Sequence, residues 1–149
     1  MKSYEIERKY LIPHPPADLA SYPCHDIEQG YLCTDPVVRI RRQDDDYYLT
    51  YKSKGLMVRE EYNLPLTREA YEHLKTKIDG RLISKRRYLI PLPPYTVELD
   101  HFFSPKEGLF LAEVEFPTEE EALAFSPPCW FGEDVTDSPL YHNSNLSRL

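Results

Sequence analysis

Near the start of the chain runs Tyr4-Glu5-Ile6-Glu7-Arg8-Lys9-Tyr10, with a charge at every second position from Glu5 to Lys9. Successive side chains of a β-strand point to opposite faces, so Glu5, Glu7 and Lys9 share one face while Ile6, Arg8 and Tyr10 take the other. The same period recurs downstream. Arg39 and Arg41 share a face opposite Val38, Ile40 and Arg42; Tyr48, Thr50 and Lys52 align; so do Lys85 and Arg87, Glu98 and Asp100, and Glu113 and Glu115.

The strands expected to carry these residues are Tyr4–Ile12, Asp26–Cys33, Val37–Gln43, Tyr47–Ser53, Val58–Leu66, Leu82–Ile90, Tyr95–Phe102 and Phe110–Phe116. Turn signals such as Thr34-Asp35-Pro36, Asp44-Asp45-Asp46 and Pro93-Pro94 separate them. Two helices are predicted. One is capped by Thr67, with Leu66, Ala70, Leu74 and Ile78 on one face and Gly80 just past its end. The other is capped by Thr118, with Glu119, Glu120 and Glu121 where the helix dipole favours acids, and is stopped by Pro127-Pro128. A third short helical turn is expected at Ala17–Ala20.

A solvated sheet face accounts for any single strand with alternating charges. It does not account for so many whose other face, Ile6, Val38, Ile40, Leu99, Ala112, Val114 and Phe116, needs a core of its own. Eight antiparallel strands with few helices must also dispose of their edges, and closure does this. The expected fold is therefore α+β, mainly β: a closed eight-stranded antiparallel barrel, or tunnel, with a few covering helices. Its apolar face lies outside under the helices and its charged face lines the lumen.

The chain has 149 residues, 41% hydrophobic and 29% charged, which suits one folded domain over residues 1–149. Eighteen Lys and Arg against 25 Asp and Glu leave a net charge of −7, which argues against a general nucleic-acid binder. No apolar run is long enough for a transmembrane helix, and the N-terminus lacks the apolar core of a secretory signal. A cytoplasmic location is expected, with no membrane partner. Cys24, Cys33 and Cys129 form no C-x-x-C pair and read as reduced thiols packed as small hydrophobes. The five histidines lack ligand spacing, and Trp130 and Phe131 read as anchors of the C-terminal tail to the barrel.

Such a lumen sets Lys9, Arg39, Arg41, Lys52, Lys85 and Arg87 against Glu5, Glu7, Glu98, Asp100, Glu113 and Glu115. Buried charges are costly unless paired, so a local surplus calls for a ligand. A row of Arg and Lys suits a chain of phosphates. Clustered carboxylates without His or Cys suit a hard divalent ion such as Mg²⁺ or Mn²⁺. Together they point to a metal-bridged polyphosphate.

The order of these elements resembles the CYTH superfamily, the triphosphate tunnel metalloenzymes. Glu5-Ile6-Glu7-Arg8-Lys9 resembles its E-x-E-x-K, Gln29-Gly30-Tyr31-Leu32 its Q-G-Y-L, Arg39-Ile40-Arg41 its R-x-R and Thr50-Tyr51-Lys52 its T-x-K. Lys85-Arg86-Arg87-Tyr88, Glu98-Leu99-Asp100 and Glu113-Val114-Glu115 resemble K-x-R-Y, E-x-D and E-x-E. The tail Pro128–Thr136 is similar to that of short bacterial members. The resemblance implies hydrolysis of a triphosphate with Mg²⁺ or Mn²⁺, inorganic tripolyphosphate above all. The alternatives are a class IV adenylate cyclase or a thiamine or nucleoside triphosphatase within the same superfamily, and, in a different class, a non-catalytic polyphosphate- or nucleotide-binding module.

By position, the resemblance gives Glu5, Glu7, Glu113 and Glu115 as metal ligands, and Lys9, Arg39, Arg41, Lys52, Lys85 and Arg87 as phosphate-binding bases. Glu5, Glu7, Lys9, Arg41 and Lys85 are the candidate catalytic residues. The fifth strand departs from the pattern: relatives often have E-x-E where this chain has Glu61-Tyr62-Asn63. Glu61 and Asp100 complete the candidate acidic set, and Asn63 keeps an oxygen but loses a charge. By analogy, Tyr141–Leu149 folds across one mouth. The chain is expected to act as a monomer or homodimer on a small-molecule triphosphate.

Overall fold

The structure, a computed structural model, describes residues 2–148. Eight strands form a closed antiparallel barrel: β1 (Lys2–Leu11), β2 (Cys24–Thr34), β3 (Val37–Gln43), β4 (Asp46–Lys52), β5 (Val58–Pro65), β6 (Asp79–Leu92), β7 (Tyr95–Ser104) and β8 (Phe110–Glu115). Their order around the barrel is β1-β5-β4-β3-β2-β6-β7-β8. β1 closes the ring by changing partner halfway. Lys2 to Ile6 pair with β5, and Glu7 to Leu11 pair with β8. The side chains of Glu5, Glu7 and Lys9 stay on the lumen face through the hand-over, which sets the acids of β1 beside those of both neighbours.

The helices form where capping dictates. The Thr67 hydroxyl accepts from the Ala70 amide to start α1 (Arg68–Lys75), and Thr118 caps α2 (Glu119–Ala124) through the Glu121 amide. α1 ends earlier than its apolar spacing suggests, because Asp79 and Gly80 already belong to β6. Gly80 is not a helix cap. It has φ of +86°, and a Cβ there would come within 2.8 Å of the Ser147 carbonyl oxygen. Ile78 lies past the helix end and fills the space over Gly30. The short turn near residue 19 is a 3-10 turn, Leu19–Ser21.

Outside the barrel, Tyr10, Ile90, Val97, Leu99, Ala112, Val114 and Phe116 bury against Ala122 of α2 and Phe131 of the tail. The rings of Tyr10 and Phe131 lie 4.9 Å apart, so the tail is anchored as expected. Each such fully buried side chain contributes roughly 1.5–3 kcal/mol. Arg8, the charge on this greasy face, donates to the Ala122 carbonyl and ion-pairs Asp134, tying α2 and the tail to β1.

A second apolar cluster sits inside one end of the barrel. Tyr31, Val37, Ile83, Phe102 and Leu111 meet Val135 and Leu146 of the tail there. Leu146 belongs to α3 (Asn143–Leu146), and Arg81 of β6 donates its amide to Ser147 at 2.7 Å. The tail thus covers this mouth with Tyr141 to Arg148; Leu149 lies outside the described residues. The three thiols are free, as expected, but Cys24 and Cys129 are exposed rather than packed.

Candidate functional site

The barrel holds a narrow polar cavity of about 40 Å³. Glu7, Lys9, Arg39, Arg41, Lys52, Arg87 and Glu113 line it, each delivered by the period-two alternation of its strand. At the covered mouth His142, Asn143 and Ser144 of the tail close the wall.

The bases are held in two ways. Lys52 bridges Glu5, at 2.8 Å, and Glu61, at 3.5 Å. Lys9 meets Glu113 at 3.4 Å and donates to the Tyr141 carbonyl at 3.2 Å. Arg87 makes a fork with Asp100, Nε to Oδ1 at 2.8 Å and Nη2 to Oδ2 at 2.9 Å, and reaches Glu98 at 3.2 Å. Arg39 and Arg41 have no ion pair among the described residues. Arg41 donates to the neutral Gln29 amide, and the buried Nε of Arg39 has no hydrogen-bond partner among them.

The acids are crowded on the opposite side. Burial raises Glu7 well above the ordinary carboxylate range, with Glu113 and Glu5 adding to it. Burial lifts Glu115 to about 7, reinforced by Glu5, Glu98 and Glu61. Glu5 moves the other way, to about 2: burial opposes ionisation, but Lys52 outweighs it. Glu113 also falls, because Lys9, Arg87 and Lys85 together overcome its desolvation. Acids pushed up by one another are short of positive charge.

A hard divalent cation fits this donor set, which is oxygen only. Among the described residues no three carboxylate, imidazole or thiol groups form a ready-made ligand cluster. Mg²⁺-type ions bind through one or two carboxylates and take their remaining ligands from water and substrate phosphates, so incomplete protein coordination is compatible with them.

Five predicted residues do not line the cavity: Glu5 and Glu61 flank it through Lys52, Glu115 is exposed on a separate groove shared with Glu98, and Lys85 and Asp100 are sealed behind the wall. Lys85 is sealed, with 0% of its side chain exposed, between Asp100 at 2.8 Å, Asn143 at 3.2 Å and the Phe102 ring. It does not line the cavity. Burial pulls Lys85 down to about 7, with Arg87 and Arg41 adding and Asp100 opposing. Asp100 is fully buried and spends both oxygens on Lys85 and Arg87. It is a counter-ion to the bases and stands apart from the acidic side. Asn63 accepts from Thr50 at 2.6 Å and donates to Glu61 at 2.9 Å, so it orients that carboxylate.

Sequence reading missed Arg59, which lines the cavity from β5, lies 3.9 Å from Glu5 and has a buried Nε without a hydrogen-bond partner among the described residues. The signal was present: Arg59, Glu61 and Asn63 alternate like the other strands. The tail crosses one mouth as expected, but that His142, Asn143 and Ser144 are its cavity-lining residues was not read from the sequence. His142, read as structural, is buried there; its Nε2 lies 3.2 Å from the Thr136 carbonyl, so that nitrogen carries the proton.

Comparison with known proteins agrees with the geometry. Residues 3–125 match the family model described as the CYTH domain. An inorganic triphosphatase of Nitrosomonas europaea is 40% identical over 148 residues, covering 96% of each chain. An inorganic triphosphatase of Acetivibrio thermocellus is 38% identical over 150 residues, covering 97% of this chain and 93% of that one. A solved inorganic triphosphatase structure superposes with a TM-score of 0.68 at 39% identity, covering 96% of this chain and 93% of that one. A charged lumen within a closed eight-stranded barrel, a family match over most of the length and relatives near 40% identity lead to one assignment: this chain belongs to the CYTH domain family.

Proposed function

We propose that this protein hydrolyses inorganic tripolyphosphate to pyrophosphate and orthophosphate inside the tunnel, with Mg²⁺ or Mn²⁺. The observation that carries the reading is the split of the lumen. Among the described residues Arg39 and Arg41 stand without carboxylate partners on one side, and Glu5, Glu7, Glu113 and Glu115 crowd the other. A phosphate chain satisfies the first and a divalent ion the second. The inorganic triphosphatases similar to this chain along nearly its whole length support the same reaction.

In this reading Arg39, Arg41, Lys9, Lys52 and Arg87 hold the phosphate chain, and Arg59 adds a further cation from β5. Glu5, Glu7, Glu113 and Glu115 hold the ion, with Glu61 beside them. Lys85 and Asp100 act behind the wall as a support for Arg87. A bound divalent ion would neutralise phosphate oxygens as charge develops. Water attacks the terminal phosphorus, the bond to the bridging oxygen breaks, and that oxygen leaves as part of pyrophosphate. Most of the rate gain comes from alignment and charge stabilisation, as is general for phosphoryl transfer. The chain is proposed to fold and work as a single domain over residues 1–149.

The test is phosphate release from tripolyphosphate, pyrophosphate, ATP and thiamine triphosphate, each with Mg²⁺, Mn²⁺ or chelator. Turnover is expected for tripolyphosphate with an added ion and none with chelator. Tight tripolyphosphate binding without turnover under either ion would replace the enzyme by a binding module. A clear preference for ATP or thiamine triphosphate would redirect the substrate.

A further inference from the structure

The bases of the lumen differ in what neutralises them. Lys9, Lys52, Lys85 and Arg87 each lie within 3.4 Å of a carboxylate oxygen. Arg41 is also fixed in place, but by an amide. Gln29 Oε1 accepts from both Arg41 Nε, at 2.9 Å, and Arg41 Nη2, at 2.6 Å. The two residues sit opposite each other in the β2–β3 ladder, so the contact is built into the register.

Gln29 is itself locked. It is fully buried, and its Nε2 donates to the Tyr31 hydroxyl at 3.2 Å. A guanidinium only donates, so the amide oxygen must face Arg41 and the amide nitrogen must face Tyr31. A glutamate at this place would make the same fork more strongly, because both partners would be charged. It would also cancel the charge it orients, and an incoming anion would then compete with it.

We propose that Gln29 is a positioning residue that aims Arg41 into the tunnel while leaving its positive charge available to the anion. The neutrality of the amide is the point of the design: geometry is supplied without compensation. The inference rests on the reading of the tunnel as a triphosphate site, and its test separates the two.

The full-length protein is compared with Gln29→Glu, Gln29→Leu, Arg41→Ala and Gln29→Leu/Arg41→Ala, with the outward-facing Arg86→Ala as control. KM and kcat for tripolyphosphate are measured beside the denaturant midpoint. Gln29→Glu is expected to raise KM by about 10- to 100-fold although it keeps the hydrogen bonds. Gln29→Leu is expected to raise it roughly tenfold alone and by less than about twofold when Arg41 is already alanine.

A KM for Gln29→Glu within about twofold of wild type, or equal increments from Gln29→Leu in both backgrounds, overturns the proposal. A substrate-independent arm follows the Nε–H resonance of Arg41 in arginine-labelled protein. It is expected to exchange slowly in wild type and Gln29→Glu and rapidly in Gln29→Leu. Slow exchange persisting in Gln29→Leu overturns the brace even if tripolyphosphate is not turned over, whereas absent turnover with the expected exchange pattern removes only the substrate reading.

Discussion

Arg39-Ile40-Arg41 on β3 and Lys85-Arg86-Arg87 on β6 read alike in sequence: two cations at period two on a strand. In the barrel they are opposites. On β6, Lys85 and Arg87 close around Asp100. On β3, Arg39 and Arg41 face the cavity with no carboxylate partner among the described residues. The difference lies in the facing strand. β6 is paired with β7, which supplies Asp100 opposite Arg87. β3 is flanked by β2 and β4, which place Gln29 opposite Arg41 and Thr50 opposite Arg39. One pair therefore serves the wall and the other is left for the ligand.

Removing the counter-ion on the β6 side is expected to have the largest effect. Asp100→Ala leaves Lys85 and Arg87 buried without their main partner, at a cost on the order of 3–5 kcal/mol in stability. Denaturant unfolding checks this, and an unchanged midpoint would erase the distinction between the two motifs. On the β3 side the cost should fall on catalysis. Arg41→Ala is expected to lower kcat/KM about a hundredfold, roughly 3 kcal/mol, in steady-state phosphate release. Its midpoint should hold or rise, because burial together with the charges of Arg39 and Arg87 already pulls Arg41 down to about 9.

The tail that closes the wall provides a third, titratable contrast. His142 is held at about 4 by burial first and then by the Lys9 charge, against the hydrogen bond to Thr136; Arg59 adds to the lowering and Glu113 opposes it. The unfolded chain takes up that proton near pH 6.5, before the folded one does. The contribution of His142 to stability should therefore decline as pH falls from about 6.5 to about 4, by up to about 3 kcal/mol, and level off below that, while the raised carboxyls Glu7 and Glu115 act in the opposite sense. Unfolding of wild type and His142→Gln across this range measures it, and the difference between them should narrow toward low pH. Least affected should be the outer surface: Arg86→Ala, which breaks an exposed pair with Asp26, is expected to change stability by less than about 1 kcal/mol and leave kcat/KM unchanged.

Much of this was legible in the chain because alternation is local. Glu5, Glu7 and Lys9, or Arg39 and Arg41, need only the pleat of their own strand to share a face. Thr67 and Thr118 cap helices through atoms three residues away. What escaped is long-range. Arg59 has the same period as Glu61 and Asn63, but its place on the cavity wall depends on β1 and β4 pairing on either side of its strand. The spacing of Lys85 puts it on the lumen face, yet Asn143, 58 positions on, and Asp100 seal it there. Ile78 fits the spacing of α1, but the pairing of β6 claims the residues just after it and ends the helix first.

The sequence alone determined which side chains face inward, because strand geometry turns a two-residue period into a wet face and a greasy one without reference to any partner. Only the tertiary structure decided which of those inward charges are spent. That depends on which residue the neighbouring strand sets opposite each base, and register across a closed barrel is a property of the whole ring.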